Sequence, residues 1–112
     1  MFKLVRDRIP ELIQQSGQIC NYAEVKNPEL FVELLRAKLV EEVNEFLSTG
    51  NIEELADISL VVGTIAGILG YSEEQFKKIC VDKIEERGKF ENKYIIFLPD
   101  QTRQEPVEQK EN

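Results

Sequence analysis

The sequence predicts an all-α fold, an antiparallel bundle of about four helices that contains one minor β pairing and is completed by oligomerisation. Apolar residues recur at helical spacing, residues typical of helix starts alternate with glycines typical of helix ends, and the most apolar helix needs more cover than so short a chain supplies. We expect one domain over residues 1–98. Residues 99–112 are polar and contain prolines, which predicts a disordered tail.

The N-terminal segment, residues 1–8, is expected to begin extended and is basic. It carries Lys3, Arg6 and Arg8 against a single acid, Asp7. One interpretation of this cluster is a solvated surface. The other is that Arg6 and Arg8 help to bind an anionic substrate.

A short helix and a short strand are predicted next. Pro10 suits the first turn of the helix and Gly17 suits its end. Residues 18–26 include an alternating stretch that is typical of a strand. We expect residues 20–25 of this stretch to pair with the apolar segment 94–98.

Two long helices joined by a tight turn form the centre of the chain. Asn27 as N-cap and Pro28 in the first turn begin the first of them. Gly50 suits the left-handed position just past a helix end, and Asn51 suits the N-cap of the next helix. That second helix, predicted over Ile52–Leu69, is apolar over most of its circumference and therefore predicts self-association.

A last helix is predicted to begin with a capping box of Ser72 and Gln75 and to end at Gly88. Lys83 and Arg87 lie along its edge, where they are either ordinary surface charges or ligands for phosphate groups. Four apolar residues at helical spacing predict a buried stripe on this helix: Phe76, Ile79, Cys80 and Ile84.

Composition excludes several function classes. The chain has 112 residues and a formal net charge of −7, which disfavours binding of long nucleic acid or of an anionic membrane. It contains no histidine, so histidine bases and Ser-His triads are excluded. The two cysteines form no zinc pattern, no signal peptide is recognisable, and we expect a reduced, cytoplasmic protein. The longest apolar run, residues 58–69, is too short to span a bilayer.

Four carboxylates flank the central turn in two pairs, Glu42 with Glu45 and Glu54 with Asp57. Members of a pair are three residues apart, so both project from one side of a helix. Glu45 and Glu54 are equidistant from the middle of the turn, and so are Glu42 and Asp57. In an antiparallel hairpin equidistant residues lie at the same height, which predicts that the four acids converge.

The helical phase places these acids on the apolar faces, since Glu42 lies within about 40° of Leu35, and Asp57 within about 40° of Val61. Isolated charge there is costly, and four facing acids repel one another. A hard divalent cation, Mg²⁺ or Mn²⁺, would offset both costs. A competing interpretation makes Glu54 the partner of Asn51 in a capping box, and a third treats the acids as surface charge without metal.

Several motifs together resemble the MazG-like all-α nucleoside triphosphate pyrophosphohydrolases, which include relatives of phosphoribosyl-ATP pyrophosphatase. The signature of that family, EExxE followed by ExxD, is matched by EEVNE at 41–45 and ELAD at 54–57. The opening KLVRDRIPELI and the later KIEERGKF are similar to its small-protein branch. The resemblance covers residues 3–98. The interval between the two acidic motifs is shorter than in the longer members, which predicts a shorter loop over the substrate.

The resemblance implies Mg²⁺-dependent cleavage between the α- and β-phosphates of a nucleotide, giving a monophosphate and pyrophosphate in a house-cleaning role. Carried over residue by residue, Glu42, Glu45, Glu54 and Asp57 are the expected metal ligands, and Glu41 is the remaining acid of the catalytic EExxE motif. Lys38 is the candidate substrate cation on the same helix. We expect a homo-oligomer, either a dimer or a tetramer. The alternative is a non-catalytic oligomerisation or regulatory module that keeps the same fold.

Overall fold

The computed structural model describes residues 2–99, and within that range the chain forms four α-helices. They are α1 (Ile9–Gln15), α2 (Pro28–Thr49), α3 (Ile52–Ile68) and α4 (Glu73–Arg87). The predicted helical class and number of helices are thereby confirmed, and the arrangement is consistent with a helical bundle. The predicted tail lies, apart from Pro99, outside the described residues. The chain divides into two compact units at the boundary between Ile79 and Cys80.

The start of α2 is capped as the sequence predicts. The side chain of Asn27 accepts hydrogen bonds from the backbone N–H groups of Glu29 and Leu30, at 2.9 and 3.2 Å. At the other end of α2, Gly50 adopts a φ of 71°, the left-handed conformation that side chains disfavour. The chain therefore reverses within two residues and enters α3.

The start of α4 has the predicted capping box. The Ser72 N–H donates to the Gln75 side chain at 2.8 Å, and the Gln75 N–H donates to the Ser72 hydroxyl at 3.1 Å. These two bonds satisfy backbone donors that the first turn of a helix leaves without partners.

The predicted β pairing is wrong. Residues 20–25 and 94–98 are both irregular, and no strand occurs between residues 2 and 99. A two-stranded pairing needs an apolar face to pack against, because on its own it is barely stable in water. Neither stretch is covered by such a surface, since Tyr22, Tyr94 and Ile96 are exposed.

The main packing between helices is that of α2 against α3, which form an antiparallel hairpin. Its apolar core is small and consists of Leu35, Val61 and Ala66. Many large apolar side chains remain exposed, including Leu47 and Ile52, each with 74% of its surface accessible.

The stripe that was predicted to be buried on α4 is mostly exposed in the single chain. Phe76 is half-buried, whereas Ile79, Cys80 and Ile84 are exposed. Periodicity identifies side chains that share one side of a helix, but it does not supply a surface to cover them.

A helix that spans a bilayer needs about 20 consecutive, mostly apolar residues. Between residues 2 and 99, each helix is too short or too polar to cross a bilayer.

Candidate metal centre

The α2–α3 hairpin brings three acids together, and we call Glu42, Glu54 and Asp57 the acid trio. Each contributes a carboxylate oxygen that lies within 4.8 Å of the other two. Glu42 is buried, with 6% of its surface exposed, and the other two are half-buried. The convergence that the spacing predicts thus occurs for three of the four expected metal ligands.

The trio forms because the turn aligns the two helices. Glu54 and Asp57 are three residues apart on α3, so both side chains project from one side of that helix. Glu42 lies on α2 at the same height as Asp57, because both are equally far from the turn. Helix period and turn length together therefore set the heights of all three acids.

Glu45, the fourth expected ligand, lies outside the trio and is exposed. It remains electrostatically close to the trio. The Glu42 charge, followed by desolvation and the charges of Glu54 and Glu41, raises the pKa of Glu45 above its usual 4.5. Repulsion from the neighbouring carboxylates is therefore the main cause of the raised pKa of Glu45.

The two oxygens of Glu42 have different surroundings. Oε2 lies 3.3 Å from the ammonium group of Lys38, a side chain that is itself only 16% exposed. Oε1 is buried and has no hydrogen-bond partner among the described residues. A buried acceptor without a partner carries the full cost of its desolvation, about 1–3 kcal/mol and more when charged.

Lys38, the predicted substrate cation, lies within the acidic site. In addition to Glu42, its ammonium group contacts Glu41 at 3.5 Å. Lys3 of the N-terminal segment reaches the other oxygen of Glu41 at 3.4 Å. Glu41 thus has two cationic partners, and it is not one of the three acids whose carboxylate oxygens converge.

The N-terminal segment also supplies an arginine to the trio. Arg6 Nη1 donates to Asp57 Oδ1 at 3.0 Å, with 64% of the Arg6 side chain exposed. Arg8 instead pairs with Glu11 on α1, at 3.4 Å. Of the two arginines predicted for substrate binding, the structure brings Arg6 to the acids, and Arg8 pairs elsewhere.

Lys83 and Arg87, the two candidate phosphate ligands of α4, are both exposed. Arg87 Nε lies 3.6 Å from the Glu86 carboxylate, its neighbour in the chain. A role for either residue in substrate binding stays a prediction.

Thr49 stabilises the inter-helix turn, although the sequence pattern did not single it out. Asn51 occupies the N-cap position but makes no side-chain cap hydrogen bond. Its N–H donates at 3.2 Å to the hydroxyl of Thr49, which lies 3.3 Å from Glu54 Oε1. The capping box between Asn51 and Glu54 is therefore not formed. A threonine just before the helix-ending Gly50 was the available signal.

The donor set of the trio suits a hard divalent cation. All its atoms are carboxylate oxygens, the ligands that Mg²⁺ and Mn²⁺ favour. A cation would also give the buried Oε1 of Glu42 the partner it lacks. Two observations therefore make these residues suitable for a metal ion: their donor atoms are all carboxylate oxygens, and Oε1 of Glu42 is buried without a hydrogen-bond partner among the described residues.

Comparison of the sequence with protein-family models gave no match. Comparisons with curated proteins and with solved structures likewise gave no significant match.

Proposed function

We propose that the chain is a metal-dependent nucleotide pyrophosphohydrolase. It cleaves between the α- and β-phosphates of a nucleoside triphosphate, or of a nucleotide similar to phosphoribosyl-ATP, and releases a monophosphate and pyrophosphate. Its role is the clearance of unwanted nucleotides. The observation that carries the proposal is the burial of Glu42. Its Oε1 has no hydrogen-bond partner among the described residues, and one of its carboxylate oxygens lies within 4.8 Å of those of Glu54 and Asp57.

The charges of this site argue for a bound cation. Burying an ionised carboxylate without compensation is costly, and such groups in proteins are paired or bound to metal. Lys38 compensates one oxygen of Glu42 at 3.3 Å. Arg6 pairs with Asp57 at 3.0 Å. When ionised, the three carboxylates of the trio carry one more charge than these two cations neutralise. The resemblance of EEVNE and ELAD to the pyrophosphohydrolase signature supports the same assignment.

The proposal assigns a role to each residue. Glu42, Glu54 and Asp57 hold Mg²⁺ or Mn²⁺. Mg²⁺ screens the negative charge of a polyphosphate and lowers the pKa of water. Glu45, exposed beside Glu42, accepts a proton from the attacking water, since the chain has no histidine for this step.

Nearby cations counter the repulsion between an acidic site and an anionic substrate. Lys38 and Arg6 already lie at the acids and are placed to meet the phosphate oxygens of a bound nucleotide. The Arg6–Asp57 pair is largely exposed and is worth at most about 1 kcal/mol. Arg6 is therefore released from Asp57 at little cost. Lys83 and Arg87 remain further candidates for contact with pyrophosphate.

The exposed apolar surface supports assembly into a homo-oligomer, a dimer or a tetramer. Three side chains of α3, Ile52, Leu60 and Ile68, have between 44% and 74% of their surface exposed. Assembly would cover these exposed side chains of an apolar helix and so remove their contact with water. Sedimentation equilibrium should give a mass two or four times that of the 12.9 kDa chain, and a mass of one chain would contradict assembly.

The same surface favours a second candidate function, a non-catalytic oligomerisation or regulatory module. Both functions require assembly, so assembly does not separate them. The enzyme alone requires nucleotide turnover that depends on divalent metal.

Release of pyrophosphate from a panel of standard and modified nucleotides, assayed with Mg²⁺, tests the proposed function. We expect at least one nucleotide to yield pyrophosphate and its monophosphate, and EDTA to stop the reaction. Glu42→Gln is the matched control, because it keeps the size of the side chain and removes its charge. A helical wild-type protein that releases pyrophosphate from no member of the panel would favour the regulatory module.

A further inference from the structure

The hydroxyl of Thr49 lies between the end of α2 and the beginning of α3. Its Oγ1 is 3.3 Å from Oε1 of Glu54 and 3.0 Å from the carbonyl oxygen of Glu45. It also accepts the Asn51 N–H, at 3.2 Å. One side chain therefore links the last turn of α2, the inter-helix turn and a member of the acid trio.

The surroundings of this hydroxyl differ from those of an ordinary helical threonine. Thr64 on α3 shows the ordinary case, with its hydroxyl donating at 2.9 Å to the Leu60 carbonyl, four residues earlier. Thr49 has the equivalent carbonyl and, in addition, the carboxylate of Glu54. A hydroxyl has one hydrogen, so the two acceptors compete for it. Hydrogen bonds to an ionised acceptor are roughly twice as strong as neutral ones, which favours Glu54.

We propose that Thr49 is a positioning residue, which holds the Glu54 carboxylate toward Glu42 and Asp57 for metal binding. This inference rests on the proposed metal site. Glu54 is half-buried in the first turn of α3, and fixing a glutamate side chain in one conformation costs rotamer entropy. The bond from Thr49 fixes it before the metal arrives, and the remaining lone pairs of the carboxylate stay available to the cation.

Binding of Mn²⁺ to the full chain, measured by calorimetric titration, tests this inference. Thr49→Val keeps the shape of the side chain and removes the hydroxyl, whereas Thr49→Ser keeps the hydroxyl. Partners that orient metal-binding carboxylates typically contribute 10- to 100-fold in affinity, so we expect Thr49→Val to weaken Mn²⁺ binding about tenfold. Thr49→Ser should stay within about twofold of wild type, because the hydrogen bond that orients the carboxylate is kept.

Thr64→Val is the matched control. It removes a hydroxyl that donates to the carbonyl of Leu60 on its own helix, so Mn²⁺ affinity should stay within about twofold of wild type. A loss confined to Thr49→Val separates positioning of Glu54 from a general effect of replacing a helical threonine. If circular dichroism shows that Thr49→Val does not fold, Thr49→Ala is compared with Thr64→Ala in the same way.

Three results would overturn the inference. Wild-type affinity in Thr49→Val means that Glu54 needs no support from the hydroxyl, and the metal site itself then stands. Equal losses in Thr49→Val and Thr49→Ser mean that something other than the hydroxyl is responsible. A wild-type protein that binds no Mn²⁺ removes both this inference and the proposed function.

Discussion

The α2–α3 hairpin and helix α4 contain similar residue types but place them in opposite surroundings. In the hairpin, Leu35 and Glu42 are both buried, and acids from the two helices meet within 4.8 Å. On α4, no residue is buried, and the apolar side chain of Ile84 and the acid Asp82 are both exposed. An acid on α4 is therefore accessible to solvent, whereas the acids of the trio are at least half-buried, so their charges bear on stability and on the proposed metal binding.

This contrast shows that the position of a charged side chain indicates function only when a second helix buries it. Water solvates an exposed carboxylate at no cost, so its position says little about function. Once α3 packs over Glu42, the solvating water is gone and some other group has to compensate the charge. The hairpin supplies Lys38 for one oxygen and leaves the second without a partner among the described residues.

The largest expected effect compares the same substitution in the two regions. Asp57→Asn should lower pyrophosphate release at least about 1,000-fold, since loss of a partner that merely orients a ligand already costs 10- to 100-fold. Asp82→Asn on α4 should leave the rate within about twofold. Initial rates with Mg²⁺ and the most active nucleotide of the panel are the measurement. Similar losses in both variants would mean that the contrast between hairpin and α4 does not extend to function.

A second prediction compares apolar truncations. Leu35→Ala should lower the free energy of unfolding by about 3 kcal/mol, because it leaves a cavity in the hairpin core. Ile84→Ala should cost under about 1 kcal/mol, because the residue is 42% exposed. Urea unfolding at several protein concentrations measures both. If both substitutions lowered the free energy of unfolding equally, and by more at higher protein concentration, assembly would cover α4. The contrast in burial between the hairpin and α4 would then disappear.

Metal should stabilise the folded chain through the hairpin. At a free concentration 100 times its Kd, Mg²⁺ or Mn²⁺ should add about 2.7 kcal/mol, since it binds the folded state alone. Thermal unfolding should show the same upward shift in wild type and in Ile84→Ala, and none in Asp57→Asn. An unchanged melting temperature of wild type at millimolar metal would contradict the site.

The smallest expected effect concerns Glu45. Because the pKa of Glu45 is raised in the folded state, the folded chain binds this proton more tightly than the unfolded chain does. Stability is therefore lost as the pH rises from 4.5 through the raised pKa. In EDTA, Glu45→Gln should melt higher than wild type at pH 7, and the difference should vanish as the pH falls below 4.5.

Glu85→Gln on α4 is the control for this pH comparison. It makes the same chemical change at an exposed position outside the hairpin. A pH-dependent gain of equal size in both variants would indicate an effect of net charge rather than repulsion from Glu42.

The sequence alone determined the features that depend on neighbouring residues. The caps at Asn27 and Ser72, the reversal at Gly50 and the heights of the acids follow from local backbone preferences and the period of the helix. These preferences act within one turn and can be read without knowledge of the fold. The predicted strands did not form because a strand depends on a distant partner and on an apolar surface to pack against, and neither stretch is covered by one.

The tertiary structure alone decided which side chains are buried and which groups compensate the charges of the buried acids. Glu45 lies about 60° around α2 from Glu42, which is enough to separate an exposed acid from a buried one once α3 packs on one side. The pairing of Arg6 with Asp57 and the bond of Thr49 to Glu54 join residues whose approach depends on how the elements pack. The physical reason is that helix geometry sets the direction of a side chain, whereas burial and charge compensation depend on the neighbour that lies in that direction.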